Sequence, residues 1–155
     1  MAVDFSALLK KPSGQAKRPK SLVAGRYPGK IKAFEVGDKN KNNTPYVRLH
    51  LAMTGWPDSV SEEDRMQENA DGQLMPIDLS KRQLRRDIFI RGTDGADMLY
   101  RLDEFLKSLG IEMGPAYDEL LPQMVGKDVL IDVTQYVNQT TGEMDNQVDK
   151  VVAAE

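Results

Sequence analysis

Hydrophobic and polar positions alternate one for one through TPYVRLHLAM, residues 44–53. Val47, Leu49, Leu51 and Met53 share one side and Tyr46, Arg48 and His50 the other, because successive side chains of a strand point to opposite faces. Upstream, LVAGRYPGKIKAFEV (22–36) is strand-like but broken by Gly25, Pro28 and Gly29, which suits a strand that bends sharply or begins at an edge. Its alternation assigns Ile31 and Ala33 to one face and Lys30, Lys32 and Phe34 to the other. The polar loop GDKNKNNT (37–44) joins the two strands as a hairpin and carries Lys39 and Lys41. Residues 55–80 begin acidic and rich in chain breakers, and they read as a surface excursion.

A third strand is expected over 87–91, with Ile88 and Ile90 inward and Phe89 and Arg91 outward. A basic turn, KRQLRR (81–86), precedes it, with Asp78 or Ser80 available as a cap. Met98, Leu99, Leu102, Phe105, Leu106 and Leu109 then recur at three- and four-residue spacing, predicting a helix capped by Thr93 or Asp94 and ended by Gly110. A shorter helix is predicted over 117–124. KDVLIDVTQYV (127–137) alternates again, NQTTGE (138–143) turns the chain, and 146–152 returns as a last strand.

The predicted order is strand, strand, strand, helix, strand, strand. That is the order of the OB-fold, a five-stranded Greek-key barrel with a helix between its third and fourth strands. The expected fold class is therefore mainly β with one or two helices; an open α+β sheet shares the same linear order. The expected organisation is a flexible basic N-terminal arm at 1–21 and a single OB-fold domain at 22–155, with the excursion at 55–80.

Composition narrows the chemistry. A chain of 155 residues is the size of one domain. The absence of cysteine excludes disulfides, thiolate metal sites and thiol nucleophiles, and one histidine leaves little for a catalytic triad or a multi-histidine metal site. Neither glycine-rich phosphate motif occurs. The expectation is a protein that is not an enzyme and needs no cofactor or metal. No apolar run approaches the roughly 18 residues needed to cross a bilayer, and the first residues have the wrong order of charge and apolar patch for a signal peptide, so a cytoplasmic location in a bacterial cell and no membrane partner are expected.

The net charge of −3 hides a segregation. Residues 1–50 hold 11 Lys and Arg against 3 Asp and Glu, and residues 76–93 hold 5 against 2; residues 51–75 hold 1 against 6, and residues 94–155 hold 4 against 13. Local field governs binding, so a basic half can attract phosphate while an acidic half keeps the protein soluble.

On an OB-fold the ligand face lies on strands two and three and on the loops joining strands one to two and four to five. Those parts, with the first strand and the basic turn, supply Lys30, Lys32, Phe34, Lys39, Lys41, Tyr46, Arg48, His50, Arg82, Arg85, Arg86, Phe89, Arg91 and Tyr136. Trp56, in TGWPD, is a further candidate platform. Single-stranded nucleic acid requires cations for its phosphates and flat rings for its bases, and this set offers both. Simpler roles compete: Phe89 also suits a small core under the excursion, and Trp56 suits a plug beside Pro57.

Five segments carry a family likeness: VDFSALLKK (3–11), AGRYPGKIKAFEV (24–36), IDLSKRQLRRDIFI (77–90), LYRLDEFLKSLGI (99–111) and MVGKDVLIDVTQYVNQTTGEMDNQV (124–148). With them the chain resembles small phage- and prophage-encoded OB-fold proteins that bind single-stranded DNA and are found among replication and recombination genes. The resemblance implies a non-catalytic protein that coats single-stranded DNA with little sequence preference, with phage replication and recombination proteins as further partners. It supplies no catalytic residues. The chain ends VDKVVAAE, without the acidic run and apolar tip of bacterial single-stranded-DNA-binding proteins. Exposed edges of an incomplete barrel would suit a homodimer. The alternative function is a structural or adaptor protein that uses the same aromatic and basic face to bind a protein partner.

Overall fold

Strand β1, Gly25–Gly37, has 13 residues and two antiparallel partners. Its first part pairs with β6, Asp128–Val137, and its later part with β2, Tyr46–Met53. The overlap falls at Gly29, where a Cβ would lie 2.5 Å from both the Ala52 carbonyl oxygen and Ile131 Cδ1. Only glycine lets three strands approach so closely there. The computed structural model describes residues 20–37, 44–92 and 96–154, together with Ser6, Leu9 and Lys10.

Two more strands complete the sheet: β5, Leu84–Phe89, on the far side of β2, and β7, Met144–Ala153, on the far side of β6. The order is β5-β2-β1-β6-β7, antiparallel throughout. A separate two-stranded hairpin, β3 (Met66–Glu68) with β4 (Leu74–Pro76), occupies the excursion. That segment is also anchored inward, since Val60, Ile77 and Leu79 are buried. Helix α1 spans Leu99–Ser108; α2, Tyr117–Leu120, runs into a tight turn at Leu121–Met124. Over residues 20–37, 44–92 and 96–154 the protein is thus mainly β, with two short α-helices, and none of the described helices is long and apolar enough to cross a membrane.

The sheet does not close into a barrel by a backbone ladder. Its outer strands β5 and β7 meet instead through a side chain, Arg86 Nη1 donating to the Val148 carbonyl at 3.2 Å. Inside the curved sheet lie Tyr27, Ile31, Leu49, Ile131 and, from α1, Leu102 and Leu106. Burying a leucine contributes about 1.5–3 kcal/mol, so two such residues on one stripe suffice to seat this short helix. Gly110, at φ +80°, ends it in the left-handed conformation that its residue type suggested.

Three expectations change. A bulge between Ile31 and Ala33 inserts a residue into β1, so the alternation inverts: Ala33 lies opposite outward His50, and Phe34 lies opposite inward Leu49 and packs on the core. The third long strand begins earlier than Ile88 and Ile90 suggest, because Leu84 pairs with Leu51 at the end of β2. Helix α1 starts at Leu99, whose amide is bonded by Asp97 Oδ1 at 2.9 Å; Thr93 and Asp94, the expected caps, lie outside the described residues.

Candidate nucleic-acid interface

Tyr46, Arg48 and His50 occupy the non-core side of β2, as period two requires. The registers place Gly37, Glu35 and Ala33 of β1 beside them in turn, and Phe89, Asp87 and Arg85 of β5 on the other flank. Three strands therefore present one outer face. At its end the Tyr46 and Phe89 rings meet edge to face, with centroids 6.3 Å apart and planes at 65°. Such a pair is worth about 0.5–1.5 kcal/mol beyond its burial, which holds both rings in place. The Tyr46 ring lies over Gly37, where a Cβ would come within 2.5 Å of it.

The face is less basic than its cations imply. Arg48 donates a fork to Asp87, Nε to Oδ1 at 2.8 Å and Nη2 to Oδ2 at 3.1 Å, and Nη1 stands 3.6 Å from Glu35 Oε1. Its guanidinium also sits 5.0 Å from the Tyr46 ring centroid. The hydrogen bonds to Asp87 raise the guanidinium pKa above its ordinary value, although burial opposes the shift. His50 Nε2 pairs with Glu35 Oε1 at 3.0 Å. The charge of Arg48 is thus compensated by two carboxylates, with its guanidinium against the Tyr46 ring. Arg85 and Lys32 are exposed and make no ion pair with another described residue; Lys32 is the extra residue of the bulge.

Lys30 is exposed opposite Ala52, one outward position beyond His50 on the same side of the sheet, and lies 3.8 Å from Asp128. The other candidates sit elsewhere. Arg82 is half-buried and bonds Gln67 Oε1 at 3.0 Å, and its burial lowers its pKa. Arg86 faces the seam between β5 and β7. Arg91 lies beyond the end of β5, bridged to Asp97, and Tyr136 is exposed at the far end of β6 opposite Asp145. Trp56 packs on the core with its centroid 5.7 Å from that of Tyr27, under Arg65 at 5.9 Å, so it plugs the excursion and does not join the aromatic pair. Phe34 is inward, and Lys39 and Lys41 lie outside the described residues.

Sequence reasoning did not assign Glu35, Asp87 or Gly37 to this face. Asp87 had a signal, since it shares parity with Phe89. Glu35 had none, because the bulge reverses its parity. In comparisons with known proteins, no family model and no curated sequence matches the chain.

Proposed function

We propose that the protein is a non-catalytic OB-fold protein, of the phage-encoded kind, that binds single-stranded DNA with little sequence preference. The sheet order β5-β2-β1-β6-β7, with α1 between its third and fourth strands, supports the fold assignment, because it is the OB order with the final ladder replaced by the Arg86 contact. The observation that carries the function is the Tyr46–Phe89 pair on the non-core face of adjacent strands. Two rings held edge to face offer bases stacking surfaces at about 1–3 kcal/mol each, independent of sequence. Arg85 and Lys32 supply phosphate contacts, and Arg48 holds Tyr46 in place.

A labelled oligo-dT of about 30 nucleotides, titrated by fluorescence anisotropy at two salt concentrations with duplex competitor, tests this. Wild type should bind and prefer the single strand. Tyr46→Ala/Phe89→Ala should lose at least tenfold at both salts, since stacking is not screened. A folded wild type that ignores oligo-dT at low salt would overturn the proposal. Compensation of Arg48 by Asp87 and Glu35 favours a second reading, a protein partner for the same aromatic face. Association with a partner that survives nuclease digestion would support it.

A further inference from the structure

Beside the Arg86–Val148 contact lies a cleft of about 620 Å³ lined by residues of both outer strands and of α1. Its walls mix two chemistries. Arg86 of β5, Arg101 of α1 and Lys150 of β7 bring three cations from three separate elements, and Phe89 and Phe105 bring two rings. None of the three cations lies within ion-pair distance of a described carboxylate, although Lys150 stands opposite Asp132 of β6, a carboxylate already held by Arg26 at 2.7 Å; Arg86 donates to a carbonyl, and Arg101 Nε lies 3.4 Å from the neighbouring Tyr100 hydroxyl. Two carboxylates also line the cleft, Asp87 and Glu104, and Asp87 is already held by Arg48. The charged lining is therefore three cations against two carboxylates, and two of the cations, Arg101 and Lys150, come from the otherwise acidic residues 94–155.

Phe89 is the link. It is 37% exposed, it forms the edge-to-face pair with Tyr46 on the outer face, and it also lines the cleft. A strand stacked on Tyr46 and Phe89 that continues over the edge of β5 meets Arg101 and Lys150 next. We propose that this seam cleft is a second segment of the binding path, which takes the phosphodiester backbone of single-stranded DNA after it leaves the aromatic pair. The inference rests on the function proposed above and adds Arg101 and Lys150 to the interface. Cations on several walls of a cleft neutralise a phosphate chain without reading bases. The missing β5–β7 ladder then has a use, since a closed barrel would fill the place the backbone occupies.

The test compares the wild-type full chain with Arg101→Ala/Lys150→Ala on oligo-dT of about 6 and about 20 nucleotides, with affinity read from 50 to 200 mM salt. Both side chains are exposed, and Arg86 is left intact to hold the seam. Each lost phosphate contact shallows the salt slope by about 0.7, so two should make the wild-type affinity for the longer oligomer fall about sevenfold further than the variant's across that range. The 6-mer, which fits the aromatic pair alone, should bind both proteins equally, and Arg101→Lys/Lys150→Arg should restore the wild-type slope. Unchanged slopes at both lengths would overturn the cleft and leave the outer face standing. An equal loss on both lengths would also overturn it, since the cations would then act only as a general field. Failure of wild type to bind either oligomer would remove the cleft together with the function on which it rests.

Discussion

Asp87→Asn isolates what the carboxylates do on the outer face. In the native protein the Asp87 carboxylate takes both arms of the Arg48 fork, at 2.8 and 3.1 Å, and adds a negative charge two residues from both Arg85 and Phe89 on the same face. Asparagine keeps the size and one acceptor but removes the charge. The stability lost should be small. The side chains retain 21% and 27% of their exposure, so the pair belongs near the top of the range for surface bridges, about 1 kcal/mol. For a chain of this size that corresponds to about 2–4 °C in Tm. Binding should move the other way. Releasing Arg48 adds up to one phosphate contact, which steepens the single-strand salt slope by about 0.7 and makes affinity fall about threefold further between 50 and 200 mM salt. Glu35, 3.6 Å from Arg48, limits the gain to less than a full contact. Anisotropy titrations of oligo-dT over that salt range, with a thermal melt of the same preparation, measure both quantities. Weaker binding at 50 mM by a variant that still melts within a few degrees of wild type would refute the reasoning, because the Asp87 charge would then be assisting the ligand.

Two further outcomes test the scaffold. Gly29→Ala places a Cβ 2.5 Å from a backbone carbonyl, which cannot swing aside as a side chain can, so it should destabilise by about 1–3 kcal/mol; a urea midpoint equal to wild type would show that β1 does not need the close approach. Tyr27, pushed up to about 12 by burial and by Asp64, and Tyr117, pushed up to about 12 by its hydrogen bond to Asp103, hold their protons longer in the folded chain than the ordinary value of 10. Their contribution is therefore complete below pH 10 and is lost as pH rises toward 12. Tyr27→Phe should lose about 0.5–1.5 kcal/mol at neutral pH with its bond to Val23, yet decline less steeply above pH 10; parallel decline in urea denaturation would count against it.

How much of this was legible beforehand differs between elements. Strict period two placed Val47, Leu49, Leu51 and Met53 in the core and Tyr46, Arg48 and His50 outside, because β2 is a central strand with one buried face and no irregularity. The helical spacing of Leu99, Leu102, Leu106 and Leu109 and the glycine that ends α1 were equally readable, since both depend on residues a few positions apart. Phe34 was assigned to the wrong face for a specific reason. One inserted residue at the Ile31/Ala33 bulge reverses every later side chain, and nothing local in KIKAFEV marks it.

By itself, then, the amino-acid order determined the succession of the five strands of the main sheet and the helices between them, though not the β3–β4 hairpin of the excursion, together with the inward stripe of each regular strand and the uneven spread of charge. Tertiary structure alone decided that Arg48 is held by Asp87 from β5 and flanked by Glu35 from β1, that Trp56 plugs the core beside Tyr27, and that Arg86, Arg101 and Lys150 line one cleft. The physical reason is range. Alternation and helical period are set by the backbone over a few residues, whereas ion pairs, bulges and seams depend on which distant strands meet and in what register, and that is decided by the packing of the whole chain.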